Sequence, residues 1–150
     1  MNNEVFKIEN ILIDENSKTQ EEAFKTIAKL AYTQGYVKSE EEYLKGLWER
    51  EKEVTTGFKG GIAIPHSKNK TVITPGVFLI KFTNPIEWNS LDGSAVKVAF
   101  GLAIPVEGAE EHLKILSKIA RKLINKEFTE KLLDEMNTDE LYKIVCEIEL

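Results

Sequence analysis

Residues Ala95–Ile104, AVKVAFGLAI, decide the fold. The run is almost wholly apolar, broken only by Lys97 and Gly101. A strand with one wet face alternates apolar and polar side chains, whereas a near-continuous apolar run of this length reads as a strand covered on both faces. It falls well short of the roughly 20 residues a membrane-spanning helix needs. Two shorter runs have the same character: GIAI (Gly61–Ile64) and GVFLIKF (Gly76–Phe82). Pro65, Pro75, Pro85 and Pro105 are placed at or outside the edges of these runs, where a missing N–H costs no ladder bond. A fourth, shorter strand is expected at Ile11–Ile13.

Working outward, both flanks change to a helical period. Thr19 and Glu22 have capping-box spacing ahead of Ala23, Phe24, Ile27, Ala28 and Ala31, and Gly35 is a suitable stop. Ser39 and Glu42 repeat the box before Tyr43, Leu44, Leu47 and Trp48, in a helix running to about Lys52. Three more stripes follow the strands. They are Leu113–Leu116–Ile119–Ala120–Leu123, Phe128–Leu132–Leu133–Met136, and Leu141–Ile144–Val145–Ile148, the last capped by Asn137 or Thr138. Strands enclosed on both faces need helices on both faces. The expected fold is therefore a three-layer α/β/α sandwich with a mixed, parallel and antiparallel, central sheet flanked by helices.

The chain of 150 residues, 42% hydrophobic and 30% charged, suits one globular domain spanning 1–150. Its 20 basic residues are interleaved with 25 acidic ones, giving a net charge of −5 and no basic footprint for nucleic acid. The start, Met1–Glu4, has neither the basic nor the apolar part of a leader. The single cysteine, Cys146, forms no internal disulfide and reads as packing. A cytoplasmic location without membrane insertion is expected.

The stretch GGIAIPHSKN (Gly60–Asn69) carries one of only two histidines, His66, where an apolar run turns polar. In open α/β sheets, the carboxyl end of a strand is where ligands gather. Thr55, Thr56, Gly57, Gly60 and Gly61 lie just upstream and would let backbone amides approach an anion. The second histidine, His112, follows AIPVEGAEE at the start of a helix, on the shoulder of its apolar stripe. Zinc binding would need a third protein ligand, and no HExxH spacing is present among Glu107, Glu110 and Glu111. No GxSxG elbow supports a serine hydrolase. Phosphoryl acceptance fits better, since a neutral imidazole is a nucleophile near pH 7 and needs only positioning and donors for the phosphoryl oxygens. It needs no cofactor and no metal. Position alone leaves two unremarkable histidines as a live alternative.

The segments LWEREKEVTTGFKGGIAIPHSKN, IEWNSLDGSAVKVAFGLAIPVEGAEEHLKILSKIARKL and FTEKLLDEMNTDELYKIV resemble the IIA component of the bacterial sugar phosphotransferase system, fructose–mannitol class. The resemblance runs from about Ile11 to Val145, and the WNSLDG turn (Trp88–Gly93) is similar to the fructose-type branch. It implies that His66 accepts a phosphoryl group from HPr and donates it to a IIB component, which serves the membrane IIC component during sugar import. It implies that His112 is a second, orienting imidazole, and that Arg50, in WEREKE, clamps phosphoryl oxygens through its planar fork. From position alone Arg50 reads as a surface residue paired with its acidic neighbours. HPr, IIB and IIC are expected on separate chains. Lys59, in GFKGG, stands where relatives have a small residue, and is read as a solvated loop lysine. Trp88, Asp92 and Gly93 are read as a turn and its packing. The alternative is a regulatory, nitrogen-type IIA that signals through the phosphorylation state of His66.

Overall fold

The computed structural model describes residues 5–150, so the Met1–Glu4 start lies outside the described residues. These residues form β1 (Ile11–Asp14), α1 (Gln20–Thr33), α2 (Glu40–Glu53), β2 (Ile62–Ala63), β3 (His66–Lys68), β4 (Gly76–Ile86), β5 (Val96–Ile104), α3 (Ala109–Lys122), α4 (Lys126–Asp134) and α5 (Thr138–Val145). The sheet is mixed, as expected. β4 and β5 run antiparallel at its centre. β1 lies parallel to β4, and β2 and β3 both lie parallel to β5.

Helices cover both faces because the inner strands alternate between two apolar layers. Phe78 and Ile80 of β4, with Ala99 and Ala103 of β5, face α1 and α2. Val77, Leu79, Val98 and Phe100 face α3, α4 and α5, against Ile119, Phe128, Leu132 and Leu141. The layer facing α1 is built from small residues on β5. A Cβ on Gly101 would stand 2.8 Å from Ile27 Cγ2, so glycine lets the helix close on the sheet.

Local signals place the helix ends. The Thr19 hydroxyl accepts from Glu22 N at 3.2 Å, while the Glu22 carboxylate returns to Lys18 N at 3.0 Å. At α2 only half of the expected box forms. Ser39 Oγ accepts from Glu42 N, but Ser39 N donates to Thr71 Oγ1 at 2.7 Å, so Glu42 has no amide left to cap. α1 closes with Gly35 at φ +82°, a conformation that favours glycine. Asn137 caps α5.

Three details depart from the expectations. Pro65 stands outside the GIAI run, as expected, but a further strand begins directly after it, so His66 opens β3 rather than only following a strand's end. The Pro65 carbonyl still accepts from Leu102 N at 3.0 Å, and pairing with β5 resumes at once. Pro85 lies inside β4, not outside it, and its missing N–H falls where the β4–β5 register shifts between Lys81 and Ile86. Met136 lies beyond α4, half exposed, because α4 ends at Asp134 and Glu135 is extended. A fourth feature gave no signal in the apolar pattern: Lys81, on β4, is buried. Its ammonium donates to Leu132 O at 2.6 Å and Leu133 O at 2.7 Å, closing the carbonyl end of α4.

Candidate active site

The site is assembled where α2 crosses β3. Tyr43 and Leu47 are buried on one stripe of α2, and Arg50 falls at the next position of that stripe, one turn on from Leu47. A charged residue on an apolar stripe is aimed at the protein rather than at solvent. Arg50 Nε donates to His66 Nε2 at 3.2 Å, and Arg50 Nη1 donates to Val54 O at 2.8 Å. The guanidinium thus bridges the end of its own helix to the imidazole.

His66 is half-buried, and its other ring nitrogen, Nδ1, lies 2.7 Å from Ile64 O. A carbonyl only accepts, so the proton sits on Nδ1 and the Nε2 lone pair points toward Arg50. Burial holds the His66 pKa below the ordinary imidazole value. The Ile64 carbonyl opposes that shift, the Arg50 charge adds to it, and Glu51 and Glu53 oppose it weakly. The net lowering fits a ring that is neutral at pH 7, and the Ile64 carbonyl fixes its tautomer and leaves Nε2 available.

The ring lines a cavity of about 780 Å³. Arg50, Lys68 and Lys70 bring cations to its wall, Glu49 and Glu53 bring anions, and Val106 and Leu113 form an apolar side. The cavity has room for an anionic group at Nε2, with an apolar wall beside it.

The structure brings Arg50 and His66 together but places His112 elsewhere. Leu113, the next residue of α3, faces the His66 cavity, whereas His112 lines a neighbouring cleft with Thr74, Pro75 and Lys118. The glycine-rich loop is also not the open anion cradle that its composition suggests, because its amides are already engaged. Thr56 N donates to Glu51 at 3.0 Å, Gly60 N to Asp92 at 3.1 Å, and Gly61 N to Ser94 Oγ at 3.2 Å. Asp92 also accepts from the hydroxyl and the amide of Ser94. These bonds, the hydroxyl's first, pull its carboxyl down to about 2. Trp88 is buried, and its indole N–H donates to Thr56 Oγ1 at 3.1 Å. Thr56 Oγ1 in turn bonds the Glu51 carboxylate. The chain Trp88–Thr56–Glu51 therefore ties the last turn of α2 to the loop. Lys59 is exposed and does not line the cavity. Glu51 and Thr56 were not singled out from the sequence as a pair. The signal was there, since Glu51 lies one turn on from Leu47 and so also faces inward.

Residues 4–148 match the family described as phosphoenolpyruvate-dependent sugar phosphotransferase system, EIIA 2. The chain belongs to this family. Among its EIIA relatives is the fructose-specific EIIA component of the phosphotransferase system of Haloferax volcanii, 33% identical over 141 residues, which cover 94% of this chain and 92% of the relative. The nitrogen regulatory protein IIA-Ntr of Neisseria meningitidis superposes with a TM-score of 0.87 at 27% identity, over 95% of this chain and 97% of that one. The mannitol IIA of Escherichia coli, solved in complex with phosphorylated IIB, shares the fold, with a TM-score of 0.80 at 22% identity over 95% and 97% of the two chains. Membership of the EIIA family supports a phosphocarrier role. Among the described residues no helix is long and apolar enough to cross a membrane.

Proposed function

We propose that this EIIA protein accepts a phosphoryl group on His66 Nε2 from phospho-HPr and passes it to a IIB component for sugar uptake. The observation that carries the reading is the arrangement Ile64–His66–Arg50. One ring nitrogen is held by a carbonyl and the other faces a guanidinium on an open cavity. In the forward step Nε2 attacks phosphorus. A new N–P bond forms as the N–P bond of the donor's phosphohistidine breaks, and the donor ring keeps the electron pair. The His66 ring becomes cationic, and its Nδ1–H bond to Ile64 O strengthens as it does so. Arg50 turns from the ring nitrogen to the phosphoryl oxygens, which it meets with two donors in one plane. The second step reverses these events toward a nucleophile on IIB.

His112 is proposed as an orienting imidazole. That role requires its ring to leave the cleft it shares with Pro75 and pass Leu113 into the cavity. The protein works in the cytoplasm, where its partners take up and release the group, and needs no cofactor. The fructose-like SLDG segment and the Haloferax relative favour transport. The likeness to IIA-Ntr favours the second reading, in which phosphorylation of the same histidine is a regulatory signal.

The test is incubation with phosphoenolpyruvate, enzyme I and HPr, followed by intact mass under alkaline conditions. Wild type is expected to gain one acid-labile phosphoryl group, and His66→Ala none. His112→Ala is expected to be labelled more slowly. An adduct that persists in His66→Ala overturns the assignment. Onward transfer to IIB marks transport, and a labelled protein that IIB cannot discharge marks regulation.

A further inference from the structure

Gly46 lies one turn before Arg50 on the same side of α2, and both line the His66 cavity. It sits in the middle of a 14-residue helix, where glycine costs about 1 kcal/mol relative to alanine. Its φ is not among the positive ones, so the backbone conformation does not call for glycine. Space does. A Cβ at position 46 would lie 2.2 Å from Ser67 Oγ, 3.1 Å from Ser67 Cβ and 2.6 Å from Asn69 Nδ2.

Neither neighbour yields freely. Ser67 is buried on β3, and turning its hydroxyl away leaves its Cβ still in tight contact. Asn69 is held at both ends of its amide. Nδ2 donates to Glu42 O at 3.0 Å, and Oδ1 accepts from Thr71 N at 3.0 Å. Glu42, Gly46 and Arg50, spaced four apart along α2, thus meet Asn69, Ser67 and His66 in turn. The contact at Gly46 is the central one of the three.

We propose that the Gly46–Ser67 contact is the spacer that sets the distance between the Arg50 guanidinium and the His66 imidazole, making both positioning residues for phosphoryl acceptance. The proposal rests on the reading of His66 as the acceptor. Relieving a 2.2 Å overlap to ordinary contact takes a separation of roughly 1 Å. Arg50, four residues along the same helix, moves with it. Its 3.2 Å bond to Nε2 then stretches past hydrogen-bonding range. Removing the Ser67 side chain should undo this. It deletes the shortest contact and frees room for the Asn69 amide to shift.

The experiment compares wild type, Gly46→Ala, Ser67→Thr, Ser67→Gly and Gly46→Ala/Ser67→Gly. It reads the rate of labelling by phospho-HPr and the His66 ring titration by 15N NMR, with thermal melts to confirm folding. Gly46→Ala is expected to slow labelling roughly 10- to 100-fold, the scale of a 1 Å misplacement. It should also raise the His66 pKa, because the guanidinium is withdrawn. Ser67→Gly alone leaves the spacer contact open and is expected to slow labelling, though less than Gly46→Ala, and the double variant, which refills that space, to regain most of both. Ser67→Thr crowds the contact from the strand side without touching the helix, and should reproduce the Gly46→Ala effects if that variant fails to fold. A folded Gly46→Ala or Ser67→Thr with wild-type labelling and titration overturns the proposal, as does a double variant no faster than Gly46→Ala. If wild type itself takes no label, the phosphocarrier reading fails, while the titration still reports the spacing.

Discussion

Replacing Arg50 by Gln separates two ways in which the guanidinium can help His66. The side chain donates through Nε to the ring and through Nη1 to Val54 O, and its charge lowers the His66 pKa. Gln removes the charge and the fork while keeping a polar side chain of similar reach. One consequence is a rise of the His66 pKa, since one of the causes lowering it is gone. Burial, the largest of the causes, still holds the pKa down in the variant. Even a free imidazole, with a pKa of about 6.5, is mostly neutral at pH 7, so a modest upward shift removes little nucleophile. The other consequence is the loss of donors to the transferring phosphoryl group. Removing one such preorganised donor costs about 10²–10³ in rate, or about 2.7–4 kcal/mol. The two effects therefore differ by about two orders of magnitude, and the rate distinguishes them. Rapid-quench labelling from phospho-HPr at pH 7 should show Arg50→Gln slowed about 100-fold, with unchanged adduct mass and a modest upward shift of the His66 titration. Arg50→Lys should recover little, because one ammonium cannot meet the ring and Val54 O from a single plane. Labelling of Arg50→Gln within threefold of wild type would refute the clamp.

Lys81→Met removes both bonds that close the end of α4 and should destabilise the protein by about 1–3 kcal/mol in urea unfolding. Gly101→Ala drives a methyl into Ile27 and is expected to cost a similar 1–3 kcal/mol, seen as a lower Tm with His66 labelling retained. The lowered His66 pKa makes stability fall with acidification. From about pH 6.5 down to the folded value, the unfolded chain binds a proton that the folded one refuses. Urea midpoints taken across that window should therefore fall less for His66→Gln than for wild type.

Much of the fold was legible because its cause is local. Thr19, Ser39 and Asn137 announce helix starts through bonds to amides three residues on, and the apolar runs announce strands enclosed on both faces. What the pattern missed depends on partners far along the chain. Lys81 sits in an apolar run like any strand residue, and only the end of α4, 51 residues later, explains why a cation is tolerated there. Pro85 looks like a strand boundary because a proline cannot donate, yet β4 continues past it, since the register shift leaves no bond for it to break. The same holds for Ser39 N, which Thr71 satisfies from 32 residues away.

The site was half legible, and the divide follows the same rule. His66 stood out because its neighbours in sequence, an apolar run and a proline, are also its neighbours in space. Its hydrogen-bond partner was harder to see, because Arg50 is embedded in the charged run WEREKE and looks like a solvated face. Adjacent residues on a helix point in different directions, and the run divides accordingly. Arg50 turns to His66, Glu51 turns to Thr56, and Glu49 and Glu53 line the cavity. The stripe Tyr43–Leu47–Arg50 was the usable clue, since a charge continuing a buried stripe must have a partner within the protein. By contrast, the pairing of the two histidines rested on their places beyond core strands and on the family resemblance. α3 starts at Ala109, after Gly108 as its cap, and it presents Leu113 rather than His112 to the cavity. The glycine-rich loop misled for a related reason. An amide can cradle an anion only if no side chain has taken it, and Glu51, Asp92 and Ser94 had each taken one. Two of those acceptors lie more than 30 residues downstream, so the loop's chemistry is set by residues outside it. On the proposed reading of His66 as the acceptor, that leaves the work of holding phosphoryl oxygens to side chains, foremost Arg50, and so makes the α2–β3 spacing, rather than the loop, the feature on which phosphoryl acceptance would depend.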